Sequence, residues 1–278
     1  MSTPSPFLPQ RAAEKQQQLF AALAELDSLL VAFSGGADSA YLAWAAHLVL
    51  GARALAVTAL SASFSAYDRE QAEAFVREVG LRHRWIVTNE LANPSYVANN
   101  ADRCYHCKDE LFGALDRLAA EQGYAAVAYG INADDTQDFR PGHRAAREHR
   151  VLAPLLDAGL TKTEIRELSR AAGLRTWNRP ASACLASRVP YGTPVTAEVL
   201  SRVEQAEAAL RALGFHQFRV RYHDAIARIE LAPEELPRAL DPVTARLICE
   251  RVKQAGFTFV TLDLEGYRQG SLNLLLRT

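Results

Sequence analysis

The chain has 278 residues, of which 49% are hydrophobic and 23% charged, with 31 basic side chains against 32 acidic ones. That suits a soluble globular protein with room for two domains, and it argues against a broad non-specific grip on nucleic acid. No apolar run is long enough to span a bilayer, and the start carries no charged segment leading into an apolar one, so a cytoplasmic protein with no membrane or nucleic-acid partner is expected.

Met1 to Pro9 reads as a loose, proline-rich tail. Residues 11–26 have helical periodicity. LLVAF (29–33) reads as a strand, SGGADS (34–39) as a tight loop, and 39–50 as a helix. ALAVTAL (54–60) is apolar without alternation, as in a strand buried on both faces. A helix is expected over 65–80, a strand over 83–87, a helix over 108–123 and a strand over 125–130. This strand–helix alternation predicts an α/β fold: a doubly wound parallel sheet with helices on both faces. Ligands of such sheets bind at the carboxyl ends of the strands, where SGGADS and GINADD (130–135) both lie.

The second half changes character. TKTEIRELSRAAG (161–173) reads as a helix whose Thr161 caps it, with Glu164 three positions on. The stretch 178–194 is irregular, and 196–214 is helical. FRVRYH (218–223) and AIARIEL (225–231) both alternate, which predicts a half-exposed antiparallel pair. A helix over 243–256 and a strand over 257–264 complete a smaller C-terminal α+β domain. The change falls within 155–185, and the boundary is placed between domains 1–175 and 176–278.

SGGADS has no GKS or GKT, so it is not a Walker P-loop, and it is not GxGxxG. It resembles the PP-loop of the ATP pyrophosphatases. That resemblance implies that Ser34, Gly35, Gly36, Asp38 and Ser39 bind ATP, with Asp38 helping to place Mg²⁺. GINADD is similar to a second element of the same family, which puts Asp134 near the nucleotide or its metal. The alternative is that Asp134 and Asp135 cap a helix.

Four cysteines are present: Cys104, Cys107, Cys184 and Cys249. Cys104 and Cys107 form a lone CxxC in RCYHCK, which on its own fits redox chemistry, metal binding or chance. Cys249 lies inside the apolar pattern LICERV and reads as a core thiol. His106, between the two cysteines, is expected to face elsewhere. Cys184 sits in ACLASRVPYG, with Arg188 close by. Cys104, Cys107 and Cys184 are three thiols, one short of the usual four ligands of an iron–sulfur cluster.

With these residues in hand, nearly the whole chain is similar to the ATP-dependent sacrificial sulfur transferases of the LarE family. The similarity runs through SGGADS, QDFRPG (137–142), WNRPASACLASRVPYG (177–192), LGFHQFRVRYHDAIARIEL (213–231) and GFTFVTLDLEGYRQGSLN (256–273). It implies adenylation of a carboxylate of pyridinium-3,5-biscarboxylic acid mononucleotide by ATP, with pyrophosphate and then AMP released. Sulfur then replaces oxygen, on the way to the nickel-pincer cofactor of lactate racemase.

The family has two sulfur sources. Single-cysteine members give up a cysteine's own sulfur, and three-cysteine members hold a [4Fe–4S] cluster. This chain resembles the second kind, with Cys104, Cys107 and Cys184 as cluster ligands and Cys184 as the catalytic thiol. Ala183 stands at the sacrificial position, because the chain reads ASAC where single-cysteine members read ASCS. The resemblance further implies substrate contacts at Arg188, Arg219, Arg221, Glu207 and Glu230, and a homo-oligomer. The alternatives are a tRNA-thiolating PP-loop enzyme and a non-catalytic nucleotide- or zinc-binding module.

Overall fold

The computed structural model describes residues 10–137, 142–180, 183–268 and 270–272. The expected N-terminal tail, the centre of QDFRPG, Ala181 and Ser182 lie outside the described residues. In chain order the helices are α1 (Gln10–Ala24), α2 (Ala37–Leu50), α3 (Ala66–Val79), α4 (Pro94–Val97), α5 (Arg103–Gln122), α6 (Gly142–Glu148), α7 (Pro154–Asp157), α8 (Lys162–Ala171), α9 (Ala197–Ala212), α10 (Leu236–Leu240) and α11 (Pro242–Gln254). The strands are β1 (Leu29–Ala32), β2 (Ala54–Leu60), β3 (His83–Val87), β4 (Ala126–Tyr129), β5 (Phe218–His223), β6 (Ile226–Leu231) and β7 (Phe259–Leu262).

The chain divides into two compact units, and the division is not linear in sequence. One unit takes Met1–Ser61, Asp68–Thr88 and Cys104–Ser182, and the other takes Ala62–Tyr67, Asn89–Arg103 and Ala183–Thr278.

In the first unit, four parallel strands form a sheet in the order β3-β2-β1-β4. Apolar runs without alternation make both faces of β1, β2 and β4 sticky, and each face has found a cover, whereas the edge strand β3 stays partly exposed. Leu29 and Val31 point into a core built with α1, α2 and α8. Leu30 and Ala32 point into a second core built with α5 and α6. This is the expected doubly wound α/β arrangement. The chain leaves β1 toward β2 on one side and finds β4 on the other, so the switch in strand order falls between β1 and β4. SGGADS follows β1 and GINADD follows β4, which brings the two loops together at that point.

The expected cap of α8 is present. Thr161 Oγ1 accepts from Glu164 N–H at 3.3 Å, and Glu164 Oε2 accepts from Thr161 N–H at 2.8 Å. Lys15 Nζ seats on the same carboxylate at 2.6 Å, tying α1 to α8. One helix starts earlier than its periodicity suggests. α5 begins at Arg103, so Cys104 and Cys107 lie in its first two turns and not in a preceding loop.

The second unit holds a three-stranded sheet, β5-β6-β7. β5 and β6 pair antiparallel as expected, but β7 joins β6 in parallel, so the sheet is mixed. Phe218, Val220 and Tyr222 of β5 face the same way as Ala227, Ile229 and Leu231 of β6, and all six are buried. The opposite face carries Arg219 across from Glu230 and Arg221 across from Arg228. A half-exposed sheet was expected, yet Arg221 is 5% exposed and Glu230 0%. The polar face is covered because its charges pair with one another and with the polypeptide that encloses them. Alternation reports two different faces; it does not report that one of them is wet.

Gly130 sits where β4 passes the start of α2. A Cβ there would lie 2.8 Å from both the N and Cα of Ser39. Gly130→Ala is therefore expected to destabilise the protein by about 1–3 kcal/mol through forced displacement of the SGGADS backbone. Urea unfolding followed by circular dichroism would measure it, and an unchanged midpoint would contradict the close approach.

Candidate functional site

The nucleotide-type loop is assembled from its own backbone. Gly35 has φ +75°, a conformation that side chains disfavour, and a Cβ there would meet Ala72 Cβ at 3.2 Å. Gly36 caps α2 with no side-chain hydrogen bond, leaving the first N–H groups of the helix for a ligand. The hydroxyls brace the turn. Ser39 Oγ accepts from Ser34 N–H at 3.2 Å, donates to Gly36 O at 3.1 Å, and lies 3.1 Å from Ser34 Oγ. Behind the loop, buried Thr58 donates to Phe33 O at 2.7 Å. A threonine inside the apolar strand ALAVTAL was the one sequence signal for this support.

Asp38 is the chemically unusual residue of the loop. Asn132 Nδ2 donates to its Oδ2 at 3.2 Å, while its Oδ1 is buried with no partner among the described residues. Burial pushes the Asp38 carboxyl above its usual range; Lys162 opposes this and Asp135 reinforces it. A buried oxygen with no donor is a poor ending for a carboxylate and a good one for a cation ligand. The donor therefore fits Mg²⁺.

The structure brings Asn132 and Asp135 to Asp38, whereas Asp134 is exposed and its Oδ2 takes the Lys162 N–H at the start of α8 at 2.8 Å. Asn132 Oδ1 also accepts from the N–H groups of Asp134 and Asp135, at 3.0 and 3.2 Å. Sequence reasoning singled out Asp134 in GINADD; the asparagine of the same motif organises the loop.

No disulfide joins any of the four cysteines. Cys104 is exposed and Cys107 half-buried, three positions apart on α5 and so on one helix face. Cys249 is half-buried on α11, less enclosed than a core thiol. Among the described residues, no group of three or more His, Cys, Asp or Glu side chains is arranged to hold a metal ion. The donor chemistry of Cys104, Cys107 and Cys184 suits iron–sulfur ligation in kind, since all three are thiols that are at least partly exposed.

In the second unit, Cys184 precedes a 3₁₀ turn, Leu185–Arg188. Its thiol side is exposed, while its backbone is held on several sides. Ser187 N–H donates to Cys184 O at 2.9 Å, and Leu185 N–H donates to Ser63 O at 2.9 Å. Arg188 Nη1 donates to Cys184 O at 2.9 Å and also to Ala183 O.

Arg188 then forks onto Glu207 of α9, Nε to Oε1 at 2.8 Å and Nη2 to Oε2 at 2.9 Å. Glu207 Oε1 also accepts from Val220 N–H of β5 at 3.2 Å. Burial alone would push the Glu207 carboxyl up, but the Arg188 guanidinium more than offsets this and holds it below its usual range.

A second buried group lies on the polar sheet face. Arg221 donates to Glu230 Oε2 at 2.8 Å, to Ser187 O at 2.9 Å and to Ser271 Oγ at 2.9 Å. Arg228 approaches the other Glu230 oxygen at 3.1 Å. Arg219 lies over the Tyr267 ring at 5.1 Å. Its guanidinium is pushed below its usual range by burial first and by neighbouring Arg188 next, with Arg221 adding to the effect. Arg188, Arg219 and Arg221 thus crowd like charges together, and Arg221 Nε is buried without a partner among the described residues. A phosphate placed there would relieve both costs.

Asn99 and Arg103 are supports of the Cys184-bearing segment that sequence reasoning missed. Asn99 is fully buried at φ 56°. Its amide donates to the carbonyls of Pro190 and Thr193, both at 2.8 Å. Arg103 donates to Asn99 Oδ1 at 2.5 Å and to Ala186 O at 2.8 Å. They bracket the Cys184-bearing segment from a part of the chain far away in sequence.

No family model matches the chain. A pyridinium-3,5-bisthiocarboxylic acid mononucleotide synthase of Lactiplantibacillus plantarum is 37% identical over 262 residues, covering 94% of this chain and 94% of the relative. The chain belongs to this synthase family, LarE. An uncharacterized protein of Synechocystis sp. is 45% identical over 91% of this chain and 94% of its own length. Another uncharacterized protein, from Methanocaldococcus jannaschii, is 26% identical over 86% of this chain and 90% of its own length.

Removing one partner of the Arg188–Glu207 fork strands a buried charge. Glu207→Gln is expected to cost about 3–5 kcal/mol at neutral pH. Because the folded-state pKa of Glu207 is depressed, its contribution is present above the ordinary carboxylate range and is lost as pH falls through the depressed value. The gap between wild type and Glu207→Gln in thermal melts should therefore narrow on acidification, and a pH-independent gap would count against the pairing.

Proposed function

We propose that this LarE-family chain is an ATP-dependent sulfurtransferase acting on pyridinium-3,5-biscarboxylic acid mononucleotide. The name of the L. plantarum relative supports the product class. The observation that carries ATP use is the uncapped, glycine-bent loop with Asp38 Oδ1 beside it, partnerless among the described residues. Ser34, Gly35, Gly36 and Ser39 would hold the pyrophosphate end of ATP on backbone N–H groups and hydroxyls. Asp38 would hold Mg²⁺, which when bound shields the phosphate charge.

A substrate carboxylate oxygen attacks the α-phosphorus, and pyrophosphate leaves. The resulting acyl adenylate is open to a sulfur nucleophile at its carbonyl carbon, and AMP then departs with the former carboxylate oxygen. Arg219 and Arg221 would grip the substrate phosphate, with Arg188, Glu207 and Glu230 fixing their positions.

For the sulfur source we favour a [4Fe–4S] cluster held by Cys104, Cys107 and Cys184, which when bound supplies a nucleophilic sulfide. The three thiols and Ala183 at the sacrificial position support it. The Cys184 thiol is the second choice. A homo-oligomer is also part of this reading, by family analogy.

With ATP, Mg²⁺ and the dicarboxylate mononucleotide, pyrophosphate release is expected to depend on the substrate, and the product mass should shift by one oxygen-for-sulfur exchange. Asp38→Asn should fold normally and lose the Mg²⁺-dependent turnover, by a hundredfold or more, on the order of losing one strong charge contact in the site. Absence of pyrophosphate release from wild type with this substrate would sink the assignment. Anaerobically purified protein should carry about four irons per chain, lost in Cys104→Ala. No iron after reconstitution would move the sulfur source to Cys184.

A further inference from the structure

We propose that Arg179 is a positioning residue for the nucleotide loop, presetting the Gly35–Gly36 peptide before ATP arrives. The inference rests on reading SGGADS as the ATP loop. Arg179 Nη1 donates to Gly35 O at 2.5 Å, and Nη2 donates to Asp68 Oδ1 at 2.7 Å. Both side chains of this pair are largely buried, at 11% and 13% exposure. The Arg179 backbone is itself anchored: its N–H donates to Thr176 O at 3.0 Å, and its carbonyl accepts from Arg166 Nη2 at 2.8 Å.

The consequence follows from peptide geometry. A trans peptide is planar, so its C=O and N–H point in opposite directions. No cis peptide is present in the loop. Pinning the Gly35 carbonyl on Arg179 therefore turns the Gly36 N–H away from Arg179, on the side of Ser34 Oγ. Among the described residues, that N–H has only a long 3.5 Å approach to Ser34 Oγ to satisfy it. Glycine at φ +75° has little resistance to a peptide flip, so an external clamp is what holds this orientation. Asp68 fixes the clamp by taking the other branch of the guanidinium fork. Lysine could reach one of the two acceptors but could not bridge both.

The test is pyrophosphate release by the full chain at varied ATP and varied substrate. A hydrogen bond from a charged group is worth roughly tenfold or more in an equilibrium. Arg179→Ala is expected to raise the KM for ATP by about that factor, with a smaller change in kcat and an unchanged KM for the dicarboxylate. Arg179→Lys should recover part of the loss, and Asp68→Asn should fall between it and wild type. A role in stability alone would lower the melting temperature without this split or this rescue. Should Arg179→Ala fail to fold, Arg179→Lys and Asp68→Asn carry the test. An ATP KM within about twofold of wild type in the folded variants overturns the proposal. A wild-type chain that neither binds nor turns over ATP overturns the nucleotide reading, and this inference with it.

Discussion

The fork between Arg188 and Glu207 governs what the second unit can do. Arg188 uses one nitrogen to hold the carbonyls of Ala183 and Cys184 and the other two to grip Glu207. Glu207 in turn takes the Val220 N–H of the strand that carries Arg219 and Arg221. One buried ion pair therefore relates a cysteine backbone, a helix and two guanidinium groups. Such a pair is expensive to desolvate, and replacing it with apolar side chains would often be neutral for stability. Its value lies in geometry. A planar guanidinium with fixed donor directions cannot satisfy all these acceptors in more than one way.

The candidate nucleotide loop of the first unit follows the opposite logic. There the polar groups are left partly unsatisfied. Among the described residues, the N–H groups at the start of α2 lack a side-chain cap and Asp38 Oδ1 is buried without a donor, and the peptide after Gly35 is held by groups behind it. Such polar groups cost free energy, and a phosphate with its cation would lower that cost. The crowding of Arg188, Arg219 and Arg221 in the second unit has the same character, with the charge reversed. The first unit thus offers a cation-seeking carboxylate and anion-seeking N–H groups, and the second offers anion-seeking guanidinium groups.

Much of this was legible in the chain. A buried parallel strand announces itself as an unbroken apolar run, because both faces need cover, and β2 matches its expected limits, as do β3 and the alternating β5. Thr161 and Glu164 are spaced for a capping box and form one. SGGADS states its own conformation, since two glycines between two serines suit few other turns. The start of α5 was hidden because RCYHCK carries no helical periodicity of its own. The enclosure of Arg221 and Glu230 was hidden for a different reason. Alternation along a strand is a local pattern, and what covers the polar face is contributed by Ser187, Asp263 and Ser271, remote in sequence.

By itself the sequence determined the α/β class, the strand–loop–helix that forms the candidate nucleotide site, and the family to which the chain belongs. Those depend on local periodicity and on short motifs whose residues are contiguous. Only the tertiary structure decided which charges meet. That Asn132 and not Asp134 approaches Asp38, that Asn99 and Arg103 fold with the Cys184 segment, and that Arg179 reaches back to Gly35 are all contacts over long chain separations. Hydrogen bonds and ion pairs act over a few ångströms in space and carry no fixed spacing in sequence, so no pattern along the chain could have announced them.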